Sequence, residues 1–464
     1  MTGERFWPHD EQLLRSVMDW SWRRIAGGQD PQARARPPAE LDAALGDTVV
    51  PDGIGGHEAL RLFTQVMVPA TRAQDNPMNL AYVPAAPTEA ALVFDLAVSA
   101  AEMFAGTWEA GAGAIAAENQ ALTWLASLAG WPASAGGCFV SGATMGNLSA
   151  LVAARERARR RLDGATARWR FAATGDAHSS VRAAATVMDC EVLDVPGDER
   201  GRMTGAALAE ALDAVGPDPL ADGVFAVVVS SGTTNAGVVD DLAGVAEVCL
   251  DHGLWLHVDG AYGAAAMVAP SVAPLFAGME HADSFVVDPH KWLFAPYDCC
   301  ALVYREPEHG AAAHSQFANY LEGLDRTAWN PADFAVHLTR RARGLPFWFS
   351  LATHGTDRYR EAVETVLATT RAVADEIRSR PHLKLVMEPD LSVVLFERVG
   401  WDLADYEAWS VHHARAGTVL CVPTRWEGRP VLRFCFINPT TDSDVVASIL
   451  DGLAGEPPAK PRPG

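Results

Sequence analysis

Apolar and polar positions change period along the chain, and the changes divide it. Residues 11–26 place Leu13, Leu14, Val17, Met18, Trp20 and Ile25 at helical spacing and end at Gly27-Gly28, which predicts a first helix. A Pro/Ala/Arg-rich connector over 30–38 precedes a second predicted helix over 58–68. Neither helix finds a partner stripe within its own segment, so both must bury their apolar faces elsewhere. From about 87 to 345 short β-branched runs at 225–229, 254–258, 284–287 and 301–304 alternate with amphipathic stretches at 146–160 and 242–252. Short strands separated by helices predict a mostly parallel sheet covered on both faces. After Arg343-Gly-Leu-Pro346 one long helix is expected over 349–378, followed by strand-like runs at 384–386, 392–397 and 431–437 interleaved with helices. The expected division is a helical segment 1–86, a large α/β domain 87–345, a small α+β domain 346–455 and a disordered Pro-rich tail 456–464.

Charge and cysteine usage narrow the function classes. The 464 residues carry 58 acidic against 37 basic side chains, a formal net charge of −21, so a nucleic acid or an anionic membrane would have to find a local basic patch against the overall field. The one compact basic run, 155–161, has the spacing of a solvated helix face. Seven scattered cysteines form no Cys-x-x-Cys pair or His/Cys cluster, so neither a metal site nor an oxidising compartment is expected. The charged N-terminus and the lack of any 18-residue apolar run point to a cytoplasmic protein.

The residues with chemistry stand where apolar runs end. In 283–292, Asp-Ser-Phe-Val-Val-Asp-Pro-His-Lys-Trp, a strand gives way to His290-Lys291-Trp292. A lysine there is expected to be desolvated, with its pKa lowered so that the neutral amine can attack a carbonyl. Ser141-Gly-Ala-Thr-Met-Gly-Asn147 is a small-residue turn between a strand-like run and a helix, the setting in which backbone N–H groups bind a phosphate. Asp259 ends the run Leu256-His-Val-Asp, where it suits a turn former or a helix cap equally well. His178 follows the run 171–174, and Gly232-Thr-Thr-Asn-Ala-Gly237 follows another. Ends of parallel strands are where α/β folds place ligands.

Residues 284–292, followed by Asp298-Cys-Cys-Ala-Leu-Val-Tyr304, resemble the lysine motif of the pyridoxal-phosphate-dependent group II amino-acid decarboxylases, in particular the aromatic-L-amino-acid branch, and the other motifs follow in the family's order. The resemblance implies a fold-type I, aspartate-aminotransferase-like α/β architecture and a homodimer with shared active sites. It implies that Lys291 bonds the cofactor, Asp259 pairs with its pyridine nitrogen, His178 stacks on its ring and helps place the substrate carboxylate, and Ala143 and Thr144 hold its phosphate. Thr234, Ala261 and His290 would complete the cofactor site. The family often has an acidic residue where this chain has Met145.

Pyridoxal phosphate serves several reactions, so lysine and aspartate alone do not choose among them. The segment 306–343 is rich in small and polar residues, as a mobile lid should be, and Tyr320 in Asn319-Tyr-Leu321 stands where the family has the tyrosine that protonates Cα after carbon dioxide leaves. A tyrosine there favours plain decarboxylation over aldehyde formation. By the same resemblance Tyr82 and Val83 line the substrate side-chain pocket, Phe104 and Gly106 belong to the wall given by the neighbouring subunit, Thr339 favours tyrosine- or phenylalanine-like substrates over tryptophan, and Arg433 supports the site near the phosphate or the substrate carboxylate. The expected function is decarboxylation of an aromatic L-amino acid to its amine. The alternatives are a bulky aliphatic or other amino-acid substrate, an aromatic aldehyde synthase, and a catalytically silent homologue acting as a binding partner.

Overall fold

The computed structural model describes residue 7 and residues 9–163, 168–316 and 327–458. Seven strands form one sheet: β1 (Gly136–Val140), β2 (Arg170–Thr174), β3 (Glu191–Val195), β4 (Val224–Ser230), β5 (Trp255–Asp259), β6 (Ser284–Val287) and β7 (Cys300–Tyr304). Their order across the sheet is β1-β7-β6-β5-β4-β2-β3. The β3-β2-β4-β5-β6 run is parallel throughout, and β7 is antiparallel to both β6 and β1. The predicted mostly parallel sheet is therefore present, with its reversed strand second from one edge. Every residue of β1, β4, β5, β6 and β7 is buried, as expected where helices cover both faces.

The helix Ala143–Arg161 crosses this sheet closely because Gly146 faces β6. A Cβ at Gly146 would come within 2.6 Å of Val286 Cγ1, so any larger residue would lift the helix start off the strand. A second, antiparallel sheet contains β8 (Leu383–Leu385), β9 (Val393–Arg398), β10 (Thr424–Trp426) and β11 (Arg429–Cys435), in the order β10-β11-β9-β8. Helices Thr356–Ser379, Leu403–Ala416 and Ser443–Gly452 accompany it.

Three sequence expectations need correction. The single helix expected over 349–378 is two, Leu345–His354 and Thr356–Ser379, broken at Gly355, whose φ of +78° is open to glycine and strained for other residues. The expected helix over 58–68 runs as an α-helix only over Gly56–Leu62, then widens at Phe63–Met67 and tightens at Val68–Ala70. The segment expected as a lid opens with a helix, Pro307–His314, and from residue 327 onward it is tied to the body of the protein, as described below. Among the described residues no helix is long and apolar enough to cross a membrane.

Candidate active site

The carboxyl ends of β1, β2, β4, β5 and β6 and the loop entering β7 open onto one cavity of about 470 Å³. That volume lies within the ~300–1,000 Å³ range of small-molecule sites. β1 brings Ser141 to Thr144, β2 brings His178, β4 brings Ser230 and Gly232 to Thr234, β5 brings Asp259, Ala261 and Tyr262, and β6 brings Asp288, His290 and Lys291. Tyr82, Val83, Tyr297 and Asp298 close the rim. All the predicted cofactor-site residues (Ala143, Thr144, His178, Thr234, Asp259, Ala261, His290 and Lys291) thus share one cavity, together with Tyr82 and Val83. Tyr320 lies outside the described residues.

The lysine differs from its expectation. Lys291 Nζ is 2.8 Å from Asp288 Oδ2, and the Asp288 side chain is 3% exposed. Burial pushes the lysine down, but the Asp288 charge and hydrogen bond, with Asp259 behind them, push it further up, so its pKa is raised rather than lowered. Asp288 was not singled out in the sequence. His290 Nδ1–H donates to the Cys299 carbonyl at 2.7 Å, and burial lowers its pKa.

Asp259 sits at the end of a buried hydrogen-bond chain in which only one proton arrangement satisfies every group. Trp255 Nε1–H can only donate, and it donates to Ser284 Oγ at 2.8 Å. His257, kept neutral by burial, donates Nε2–H to Asn147 Oδ1 at 3.0 Å, so its Nδ1 accepts from Ser284 Oγ at 2.8 Å. The Asn147 amide then donates to Asp259 Oδ2 at 2.8 Å and to Ser180 Oγ at 3.0 Å. Ser180 donates both its hydroxyl and its backbone N–H to His178 Nδ1. In the neutral imidazole the remaining proton is on Nε2. Burial holds His257 at a pKa of about 4, which keeps it in the neutral form this chain requires. Asn147, His257, Ser284 and Ser180 were not anticipated, since a helix residue and an in-strand histidine give no local signal of a contact made across the sheet.

The remaining predicted substrate residues are elsewhere. Arg433 does not reach the cavity: its guanidinium is spent on the carbonyls of Tyr82 (2.6 Å), Thr234 (2.8 Å) and Asn235 (3.0 Å). It holds the backbone of the cavity wall, including Tyr82, whose φ of +55° is a strained conformation for an aromatic residue. Phe104 and Gly106 lie beside 339–341 instead. Phe104 pairs with Arg341 and Ala105 N–H donates to Arg340 O, while Thr339 is exposed. A Cβ at Gly106 would meet Leu338 O at 2.3 Å, so this glycine serves a close backbone approach and does not enlarge a pocket in its own subunit. Met145 is half-buried against the core. Of the two aspartates after Gly237, Asp241 caps the helix Leu242–His252, and Asp240 instead accepts the N–H groups of Ser230 and Met203.

Residues 58–399 match the pyridoxal-dependent decarboxylase conserved domain. The chain belongs to the pyridoxal-dependent decarboxylases. It is 29% identical to the aromatic-L-amino-acid decarboxylase of Bacillus atrophaeus over 88% of this chain and 86% of that protein. It is 31% identical to the L-2,4-diaminobutyrate decarboxylase of Rhizobium meliloti (strain 1021) over 82% of this chain and 77% of that protein. The crystal structure of Oryza sativa TDC with PLP and tryptamine superposes with a TM-score of 0.85 at 23% identity, over 97% of this chain and 98% of that one.

This decarboxylase is thus a fold-type I enzyme, a carboxy-lyase that acts on an amino acid with pyridoxal phosphate as cofactor. Its residues fit that group. The helix Ala143–Arg161 begins at Gly142 on the cavity wall without a side-chain cap, which leaves first-turn N–H groups for a phosphate. Asp259 offers a buried carboxylate, and Lys291 an amine on the same wall. Asn147→Leu removes the bonds that orient Asp259 and leaves His257 without its acceptor. We expect the cofactor to bind about 10- to 100-fold more weakly, corresponding to about 1–3 kcal/mol for buried groups left unpaired. Titration of the cofactor-free variant with pyridoxal phosphate measures this, and unchanged affinity would contradict the role given to the chain.

Proposed function

We propose that this decarboxylase converts an aromatic L-amino acid to its amine and carbon dioxide. The observation that carries the reading is the make-up of the cavity rim: Tyr82, Val83 and Tyr297 offer flat and apolar surface, and among the described lining residues Lys291 is the only lysine or arginine. A substrate with a second carboxylate finds no cation there. The match to an aromatic-L-amino-acid decarboxylase supports the same reading. A second reading, an aliphatic substrate bearing a second amine, is favoured by Asp298 on the rim and by the match to a diaminobutyrate decarboxylase. Comparing kcat/KM for tyrosine, phenylalanine, DOPA and tryptophan with that for 2,4-diaminobutyrate decides between them. We expect the best aromatic substrate to lead by at least about 100-fold, a gap of roughly 2.7 kcal/mol; a lead for the diamine would replace the aromatic reading.

In this reading Lys291 would hold the cofactor through its side-chain amine. Bound pyridoxal phosphate supplies an electron sink for the pair left at Cα when carbon dioxide departs. Asp259, oriented by Asn147, keeps a proton on the pyridine nitrogen. His178 would lie beside the ring with Nε2–H available to the substrate carboxylate, while Ala143 and Thr144 would hold the phosphate with backbone and hydroxyl donors. Thr234, Ala261 and His290 line the pocket beside them. Tyr320 gives the proton to Cα. Tyr320→Phe should retain cofactor but yield less amine and a new aldehyde, as read by product mass; an unchanged product would remove the tyrosine from this role.

The same reading includes a cytoplasmic homodimer. The helix Glu11–Gly27 buries none of its residues, and Leu14, Met18 and Trp22 are more than half exposed, an apolar face that a second copy would cover. Phe104 and Gly106 would then serve the neighbouring copy's cavity.

A further inference from the structure

Asp288 is the buried charged group of the cavity that none of these roles uses. It follows β6 directly, and its carboxylate is almost fully enclosed. Oδ2 meets Lys291 Nζ at 2.8 Å, and Oδ1 is buried with no hydrogen-bond partner among the described residues. A buried carboxylate oxygen left unpaired is costly, and such atoms in native structures call for a functional explanation.

The groups that surround the pair come from every neighbouring element. His290 Nε2, on the same loop, is 3.7 Å from Asp288 Oδ2, and Tyr297 acts on both members of the pair from the loop entering β7. Cys300 faces Asp288 from β7, and Asp259 faces Lys291 from β5. Burial pushes His290 toward its neutral form, and it raises the Tyr297 hydroxyl and the Cys300 thiol so that both keep their protons. The positive charge that answers Asp288 therefore belongs to the Lys291 nitrogen.

We propose that Asp288 is the counterion of the Lys291 nitrogen, favouring its protonated form both when it is bonded to the cofactor and after the substrate amine has displaced it. A protonated nitrogen makes the carbon it is bonded to a better target for the incoming amine. A displaced lysine that takes up the proton given up by the substrate ammonium has no lone pair with which to compete for the cofactor, and it returns that proton to the product amine when it bonds the cofactor again. No atom is transferred to or from Asp288 in either state; it acts by charge at hydrogen-bond distance. The inference rests on Lys291 being the cofactor lysine.

The chain has only three lysines, Lys291, Lys384 and Lys460, so its isotope-labelled lysine side chains can be followed one by one in the full-length protein. In the cofactor-free wild type, Lys291 should titrate above ordinary lysine values. In Asp288→Asn it should titrate at least tenfold weaker in proton affinity. The long-wavelength visible band of the loaded protein should give way at correspondingly lower pH. Asp288→Glu, which keeps the charge, should restore most of the shift. A Lys291 titration that is the same in wild type and Asp288→Asn overturns the inference, as does a wild-type Lys291 that titrates below ordinary lysine values, a result that needs no variant to fold. Adding pyridoxal phosphate separates the two levels of the argument. If the signal of Lys384 or Lys460 moves instead of that of Lys291, the assignment of the cofactor lysine fails and the inference falls with it. If Lys291 moves but Asp288→Asn leaves its titration unchanged, only the inference falls.

Discussion

Lys291→Ala is expected to abolish turnover and the visible band of the lysine-bound cofactor. Lys384, exposed on β8 in the other sheet, is not placed to stand in. The loss should be at least about 10⁴-fold, the upper end of what one positioned acid–base group contributes, because the covalent route is lost together with it. The alanine variant also strands the buried Asp288 carboxylate, so its stability should fall as well. Lys291→Arg separates the two effects. It keeps a cation beside Asp288 and should leave the unfolding midpoint closer to that of wild type, yet it supplies no amine that can bond the cofactor. Single-turnover decarboxylation and reductive trapping of the cofactor on the protein measure both variants. Normal turnover by either would contradict the assignment of Lys291.

Arg340→Leu is expected to give the largest loss of stability, about 3–5 kcal/mol, because it leaves Glu118 as a buried charge without a partner. Arg340 and Glu118 form a two-pronged pair at 2.7 and 2.8 Å, with side chains 0% and 2% exposed. Arg340 also donates to Ala105 O at 2.7 Å, and Glu118 accepts Gly344 N–H at 2.8 Å. The pair thus pins residues 340–344 to the helix Trp108–Leu128 and to the 104–106 segment, and it anchors the chain that follows Tyr320. Denaturant unfolding of the holoenzyme measures the effect. Replacing both partners by leucine should recover part of the loss, since no lone charge then remains. A single variant as stable as wild type would show that the pair does not hold this region.

The large sheet was legible because its strands are buried on both faces and read as short unbroken apolar runs. The run predicted at 284–287 is β6 itself, and that at 301–304 is β7 less its first residue. The cavity was legible for a related reason: once the strands are parallel, Lys291, Asp259, His178 and the Ser141–Thr144 turn must emerge on one edge. What could not be read was contact between distant residues. Asp288 reversed the expected direction of the lysine's pKa, and only the folded loop places it against Nζ. Asn147 looks like any polar residue in a helix's first turns until β5 puts His257 and Asp259 on either side of its amide. Arg433 was read as a support near the phosphate or the substrate carboxylate because its three carbonyl acceptors lie at 82 and 234–235, far away in sequence. Gly355 sits in a run whose apolar spacing continues across it, so only its positive φ reveals the break.

The most direct measurement is carbon dioxide release, with mass identification of the product, from the cofactor-loaded protein given each of the twenty amino acids plus DOPA and 5-hydroxytryptophan. The expected result is one amine per carbon dioxide from one or a few aromatic acids, without aldehyde or hydrogen peroxide. Carbon dioxide released from aliphatic acids alone, or aldehyde as the main product, would contradict it.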